Sequence, residues 1–410
     1  MRPSAGGRIG TLALGVMLGV GCAKDTHPPA YQGGTTPADM DAGADAGGVV
    51  PIDGFDASAP PSPDAAGYCG NQFLPVVSTR KNLYLVLDRS GSMRDTMTDP
   101  VTGNPIRKYD ASLRAIHDVL FALGHRLAYG AAVFPQLGDV ESCNPGTEIN
   151  VTAPGDAVTY ALSGKDGPKL AKLMYDIGLY IPEGSTPTSA TLEGLVGKLI
   201  ALGSDTSVIL ATDGAPNCNV DISCDSAHCI PNIEGWWLDQ DIKCTSALNC
   251  CDKTLSGGGN CIDADATVAP IAKLFAAGIR TYVIGLPGSE AYESVLNRLA
   301  TAGGTARPKA ASTDLAYYPV NDAAQLTQSL KGIAAELAIS CTIALDSPPP
   351  DWTQVNVYFD NTLIKMNVDN GWTQLNSHTV EITGSYCDLL KSGDVFQVQV
   401  VSGCPTEVLI

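Results

Sequence analysis

The chain has only five histidines, His27, His117, His125, His228 and His378, and it lacks the G-x-S-x-G, H-E-x-x-H and G-x-x-x-x-G-K-[ST] patterns. The signatures of a nucleophile elbow, a helical zinc-protease site and a phosphate loop are therefore missing. Gly197-Lys198 has no upstream glycine at phosphate-loop spacing and reads as an ordinary helix position. His27 falls in a low-complexity stretch, and His117 falls in a helical one, where packing or exposure accounts for it. Basic residues are scarce, 25 against 43 acidic, for a formal net charge of −18. Such a chain repels phosphate backbones, which excludes nucleic acid as a partner, and it has no basic patch to hold anionic lipid. No C-x-x-C occurs, which argues against a redox motif or a zinc ribbon. Beyond the N-terminal segment no apolar run is long enough to cross a bilayer.

What is present begins at the N-terminus. Arg2 and Arg8 precede a short apolar stretch from Ile9 to Val20, which ends at Gly21-Cys22-Ala23. The stretch is too short for a membrane helix and reads as a signal peptide over residues 1–22. Leu18-Gly19-Val20-Gly21-Cys22 resembles a bacterial lipoprotein processing box with Cys22 as the lipid-bearing residue, although Gly19 stands where that box usually has Leu. The expectation is export with a lipid anchor in the bacterial envelope, at the outer membrane or cell surface; simple secretion is the second choice. Residues 23–67 are dominated by Ala, Asp, Gly and Pro, as in Asp39-Met40-Asp41-Ala42-Gly43-Ala44-Asp45. They cannot bury enough apolar surface to offset the entropy of ordering, so a disordered tether is expected. As a flexible coil its ends would lie roughly 35–40 Å apart. Thirteen cysteines less Cys22 leave twelve, an even number that in an exported protein reads as disulfides.

From Lys81 onward short apolar runs alternate with helical patterns. Leu83–Leu87, Tyr129–Phe134, Val208–Ala211 and Thr281–Ile284 read as buried strands. Tyr109–Leu123, Lys169–Tyr180, Ser189–Leu202, Ala266–Ala277, Tyr292–Thr301 and Ala323–Ala338 read as helices, with Leu315–Val320 completing the alternation. A polar, hairpin-like region leads to Ile149-Asn150-Val151. The pattern predicts an α/β fold, a doubly wound and mostly parallel sheet covered by helices on both faces over residues 80–340. After Cys341 the period changes: Val355–Phe359, Leu363–Met366, Thr379–Ile382 and Val395–Val401 predict a small β-rich module over 341–410.

Directly after the first strand stands Asp88-Arg89-Ser90-Gly91-Ser92, a D-x-S-x-S pattern. Alone the pattern is common, but ligands in open α/β sheets gather beyond the carboxyl ends of strands, where this one lies. Gly184-Ser185-Thr186-Pro187-Thr188 precedes a helix, and Thr212-Asp213-Gly214 follows the next strand, which returns Asp213 to the same rim. Mg²⁺ wants octahedral oxygen ligands and keeps several waters. Hydroxyls of Ser90, Ser92 and Thr186 can meet it directly, with Asp88 and Asp213 acting directly or through water. A mostly neutral set of ligands leaves the ion electron-poor and attractive to a partner's Asp or Glu carboxylate. Asp88, Ser90, Ser92, Thr186 and Asp213 together resemble the metal-ion-dependent adhesion site of von Willebrand factor A domains, and the likeness covers about residues 80–340. The resemblance implies Mg²⁺ or Mn²⁺ held by the three hydroxyls, mainly water-mediated support from the two carboxylates, and adhesion to a protein ligand. Thr186 is preferred over Thr188 because it directly follows the Gly-Ser pair.

The chain departs from that family between residues 217 and 262, where the connection is usually short. Seven cysteines lie there: Cys218, Cys224, Cys229, Cys244, Cys250, Cys251 and Cys261. Seven is odd, so one should pair outside, and Cys143, at the same rim, is the natural partner. Cys69, Cys341, Cys387 and Cys404 belong to the opposite end. A cap beside the metal is expected. Trp236-Trp237 are either exposed anchors or, the favoured expectation, the cap's own small core. A zinc site using His228 and neighbouring cysteines is disfavoured by export. Together these features predict an envelope-anchored binding protein and not an enzyme. The alternatives are a structural scaffold with a vestigial site and, less favoured, a metal-assisted hydrolase with Asp213 or Asp88 as base.

Overall fold

The computed structural model describes residues 68–409, apart from 78–79, 139–142, 256, 308–314 and 396. The expected signal segment, Cys22 and the tether lie outside them. Two short strands, β1 (Gln72–Leu74) and β2 (Val76–Val77), precede β3 (Lys81–Asp88), which is buried from Leu83 to Asp88. A small hairpin of β4 (Thr96–Thr98) and β5 (Pro105–Arg107) leads into α1 (Lys108–Leu123). Then follow β6 (Leu127–Phe134), β7 (Thr147–Pro154), α2 (Val158–Leu162), α3 (Pro168–Gly178), α4 (Thr188–Ala201) and β8 (Thr206–Thr212). The short α5 (Ile230–Glu234) lies in the cysteine-rich insertion, and α6 (Ala264–Ala276), β9 (Arg280–Gly285), α7 (Glu293–Ala302), β10 (Tyr318–Pro319) and α8 (Ala323–Ala338) complete the alternation.

The central sheet runs β10-β9-β8-β3-β6-β7, parallel throughout except for β7 at one edge. β6 and β8 are buried along their whole length, which is why they read as unbroken apolar runs. Side chains of a strand alternate between faces. Leu83, Leu85 and Leu87 accordingly enter one core with Ile116, Leu173 and Leu330, from α1, α3 and α8. Tyr84 and Val86 enter a second core with Leu195, Ile271 and Leu296, from α4, α6 and α7. The sheet is doubly wound. Leu315–Val320 yields only the two residues of β10, and the polar stretch around Asn150 is the antiparallel edge strand.

The C-terminal region is antiparallel and takes in the first two strands of the chain. Its members are β11 (Thr342–Leu345), β12 (Val355–Phe359), β13 (Thr362–Ile364), β14 (Trp372–Asn376), β15 (Thr379–Ile382), α9 (Gly384–Lys391) and β16 (Val398–Ser402). One sheet runs β1-β16-β12-β13 and the other β14-β15-β11-β2. Periodicity does not announce β14 or α9, because each has a single fully buried residue, Trp372 and Leu390. Val357, Phe359, Trp372 and Val380 share one core with Leu85 and Ile116, so the β-rich region and the main sheet are packed as one body.

Six disulfides use all twelve cysteines of the described region. Cys143–Cys218 joins the segment after β6 to the insertion, and Cys224–Cys261, Cys229–Cys251 and Cys244–Cys250 lie within it. Cys69–Cys404 and Cys341–Cys387 staple the other end. The sulfurs of Cys224, Cys251 and Cys261 are clustered but all oxidised, which leaves zinc no thiolate there. No helix among the described residues is long and apolar enough to cross a membrane.

Candidate metal centre

Asp88 ends β3 and Thr212 ends the neighbouring parallel strand β8, so Asp88 and Asp213 emerge at one rim of the sheet. After Asp88 the chain makes a short 3-10 turn, Gly91–Arg94, which holds Ser90 and Ser92 over the strand end. The Gly91 N–H donates to the carbonyl of Gly184 at 2.9 Å and ties this turn to the loop before α4 that bears Thr186. Thr186 is held from the other side by Asn217. Its N–H donates to Asn217 Oδ1 at 2.8 Å, and its carbonyl accepts from the Asn217 N–H at 2.9 Å.

The side chains form a connected set. Ser92 Oγ donates to Asp213 Oδ1 at 2.8 Å, and the hydroxyls of Ser90 and Ser92 share a hydrogen bond of 3.2 Å. Asp88 Oδ1 accepts from the Ser90 N–H at 2.7 Å, and Asp88 Oδ2 accepts from Thr212 Oγ1 at 2.5 Å. Thr186 itself is buried. A hydroxyl can present a lone pair to a cation only if its proton points elsewhere. The Ser92 proton points to Asp213, which leaves the Ser92 oxygen suited to that role. The donor set, hydroxyl and carboxylate oxygens with no sulfur or imidazole, matches a hard cation such as Mg²⁺ or Mn²⁺.

Both carboxylates are buried, at 1% exposure for Asp88 and 2% for Asp213. Burial pushes the Asp88 carboxyl well above its ordinary range, and the nearby Asp213 charge adds to this against the hydrogen bonds from Thr212 and Ser90. Burial also raises Asp213, opposed chiefly by Lys108. Two like charges forced together in a dry site are stabilised by a cation.

Four participants lie outside the five residues that the sequence pattern singles out. Thr212 orients Asp88, and Asn217 clamps Thr186. Lys108, the first residue of α1, donates from Nζ to Asp213 Oδ2 at 2.8 Å. Arg89, the unconstrained position of D-x-S-x-S, is almost fully buried. Its guanidinium donates to the carbonyls of Pro135 (3.3 Å), Gln136 (3.3 Å) and Ile181 (2.8 Å), tying its own turn to the loops after β6 and α3.

The insertion sits beside this rim. Ile230 of α5 packs with Ala215 and Tyr292, and Tyr292 Oη donates to Glu234 Oε1 at 2.6 Å. Glu234 Oε2 in turn accepts from Trp236 Nε1 at 2.8 Å. The buried Asp263 anchors the base of the insertion, accepting from Ser189 at 2.5 Å and Asn219 at 3.1 Å. Contrary to the sequence expectation, Trp236 and Trp237 do not form the insertion's core: they are 41% and 61% exposed. Cystines fill that interior, with Cys229, Cys244, Cys250, Cys251 and Cys261 all buried, so the indoles have no interior to enter.

No protein-family model matches the chain, and no curated protein matches its sequence. Among solved structures it is similar to the pilus adhesin SpaC of Lactobacillus rhamnosus GG, at 15% identity and a TM-score of 0.42 over 81% of this chain and 40% of that one. It is also similar to the vWF domain of the type V pili tip protein Mfa5 of Porphyromonas gingivalis, at 12% identity and a TM-score of 0.40 over 64% of this chain and 96% of that one. A third is the manganese-loaded TRAP protein of Plasmodium vivax, at 17% identity and a TM-score of 0.33 over 61% of this chain and 71% of that one. The chain spans less than half the length of SpaC. Its strand order and its two helical layers make a doubly wound α/β fold, the architecture that the resemblance to von Willebrand factor A domains implies, with a cystine-rich insertion and an antiparallel C-terminal region.

Proposed function

We propose that this protein is an exported binding protein that engages a protein partner through a divalent cation, Mg²⁺ or Mn²⁺, at the rim of its sheet. Ser90, Ser92 and Thr186 would hold the ion through hydroxyl oxygens, with Asp88 and Asp213 behind them. The bound ion supplies an open coordination position for an Asp or Glu carboxylate of the partner. The observation that supports this reading best is the hydroxyl–carboxylate chain: the Ser92 proton is given to a buried Asp213, and Thr212 and the Ser90 N–H hold a second buried carboxylate beside it. Two buried acids, of which only Asp213 is paired with a lysine, are short of positive charge. Lipidation at Cys22 would tether the domain to the envelope, with secretion as the second choice.

One observation favours a scaffold with a vestigial site: Lys108 already pairs with Asp213. The two readings separate in one experiment. Wild-type protein should capture a partner from envelope or extracellular extract in Mg²⁺ and release it with chelator, and Asp88→Ala should lose capture altogether. Equal capture by wild type and variant, with or without chelator, would leave the scaffold reading. Metal-dependent turnover of a substrate would point instead to a hydrolase.

A further inference from the structure

Lys108 is out of place by ordinary rules. A cation at the first position of a helix faces the positive end of the helix dipole, an arrangement that is disfavoured. Yet its side chain is only 6% exposed, and its ammonium lies 2.8 Å from Asp213 Oδ2, with Asp95 Oδ2 at 3.8 Å on the open side. The neighbouring structure makes room for it. Gly288 has φ +108°, and a Cβ there would come within 3.1 Å of Lys108 Nζ and 3.2 Å of the Asp213 carbonyl oxygen. With Ser92 donating to Oδ1 and Lys108 to Oδ2, each oxygen of the Asp213 carboxylate already has a donor.

We infer that Lys108 is a tethered cation that competes with a divalent ion for Asp213, and that it sets how tightly the site binds metal. This rests on the metal reading above and extends it. Without a divalent ion, the ammonium compensates a carboxylate that would otherwise be buried with an unopposed charge. When a divalent ion approaches, the same ammonium repels it and already holds one of the oxygens that could support it. A lysine here therefore weakens metal binding and steadies the metal-free protein. The binding site would load only where divalent ions are plentiful, as outside a cell.

The test uses the full chain and Mn²⁺ alone as probe. Lys108→Met keeps the aliphatic stem and removes the charge; Lys108→Arg keeps the charge. Lys108→Met is expected to bind Mn²⁺ at least tenfold tighter than wild type and to melt at a lower temperature in chelator. Lys108→Arg should stay near wild type in both. If Lys108→Met is unfolded in chelator, return of its fold on Mn²⁺ addition supports the inference, and failure to fold in millimolar Mn²⁺ overturns it. Mn²⁺ binding by the variant but not by wild type also supports it, with Lys108 then the stronger occupant. Equal or weaker binding by the variant overturns the inference while leaving the metal reading intact. No binding by either protein overturns both.

Discussion

Replacing Cys69 and Cys404 together by serine is expected to lower stability by about 3–5 kcal/mol and the melting temperature by about 5 °C. This bond spans 335 residues and joins the start of the described chain to its end. In the chain-entropy account, cross-linking such distant points removes about 6 kcal/mol of unfolded-state entropy, against about 2 kcal/mol for the shortest loop in this chain. The folded contacts at that corner are few. β1 pairs with β16 over three residues, and Tyr68 packs against Phe73 and Tyr358 and hydrogen-bonds Asn361 at 2.6 Å. Without the cystine, β1 should peel away first and become sensitive to protease. Cys244–Cys250 is the contrast, with a separation of 6. Its serine pair should cost about 2 kcal/mol, felt within the insertion and not in the global melt. Calorimetry of the two double variants decides between them; equal effects would show that loop length is not what matters here.

The metal-free protein should lose stability as pH rises from about 4 to about 7, and a divalent ion should restore it. Asp88 titrates normally near 3.8, but burial and the Asp213 charge push it up to about 7, and Asp213 shifts the same way. A raised carboxyl binds its proton more tightly folded than unfolded. Its contribution is fully present below the unfolded value and is lost as pH climbs through the folded one. For Asp88 the full shift corresponds to about 4 kcal/mol. Other carboxyls act in the opposite sense: Asp99, Asp252 and Asp351 are held low by hydrogen bonds, and what they contribute is lost as pH falls. The clean measurement is therefore the difference in melting temperature between wild type and Asp88→Asn, in chelator, from pH 4 to pH 8. The variant should gain on wild type steadily with pH. Added Mg²⁺ should close the gap at pH 7.5 and change little at pH 5, because the ligand form is the carboxylate. A gap that does not vary with pH would dissociate Asp88 from the effect.

The doubly wound α/β fold was legible because its parallel strands are buried on both faces. Burial on both faces forces an unbroken apolar run, and Leu83–Leu87 and Val208–Ala211 show it over four or five residues. The six longer helices of the main domain, α1, α3, α4, α6, α7 and α8, were legible for a related reason: each buries one stripe, as α8 does with Leu326, Leu330 and Ile333, whereas α2 buries no residue and left no trace. Elements that bury a single residue, β14 and α9, leave no such trace. The role of β1 and β2 was equally hidden. They are too short to show a period, and their partners, β16 and β11, lie at the far end of the chain.

At the candidate centre the division is sharper. Asp88, Ser90 and Ser92 can be picked out by eye because they are neighbours in sequence at the end of a strand, and strand order alone returns Asp213 to their side. Sequence by itself thus determined that Asp88, Ser90, Ser92 and Asp213 share one rim, since that depends on local pattern and on the direction of parallel strands. Only the tertiary structure decided what charges surround them. Lys108 and Asp213 are separated by 105 residues, Thr212 and Asp88 by 124, and Thr186 and Asn217 by 31. It also decided that Trp236 and Trp237 face solvent, because cystines had already filled the space they would have occupied. The physical reason is the same in each case. A hydrogen bond or an ion pair depends on distances of a few ångströms, and those are set by how far-separated segments pack, which no local pattern encodes.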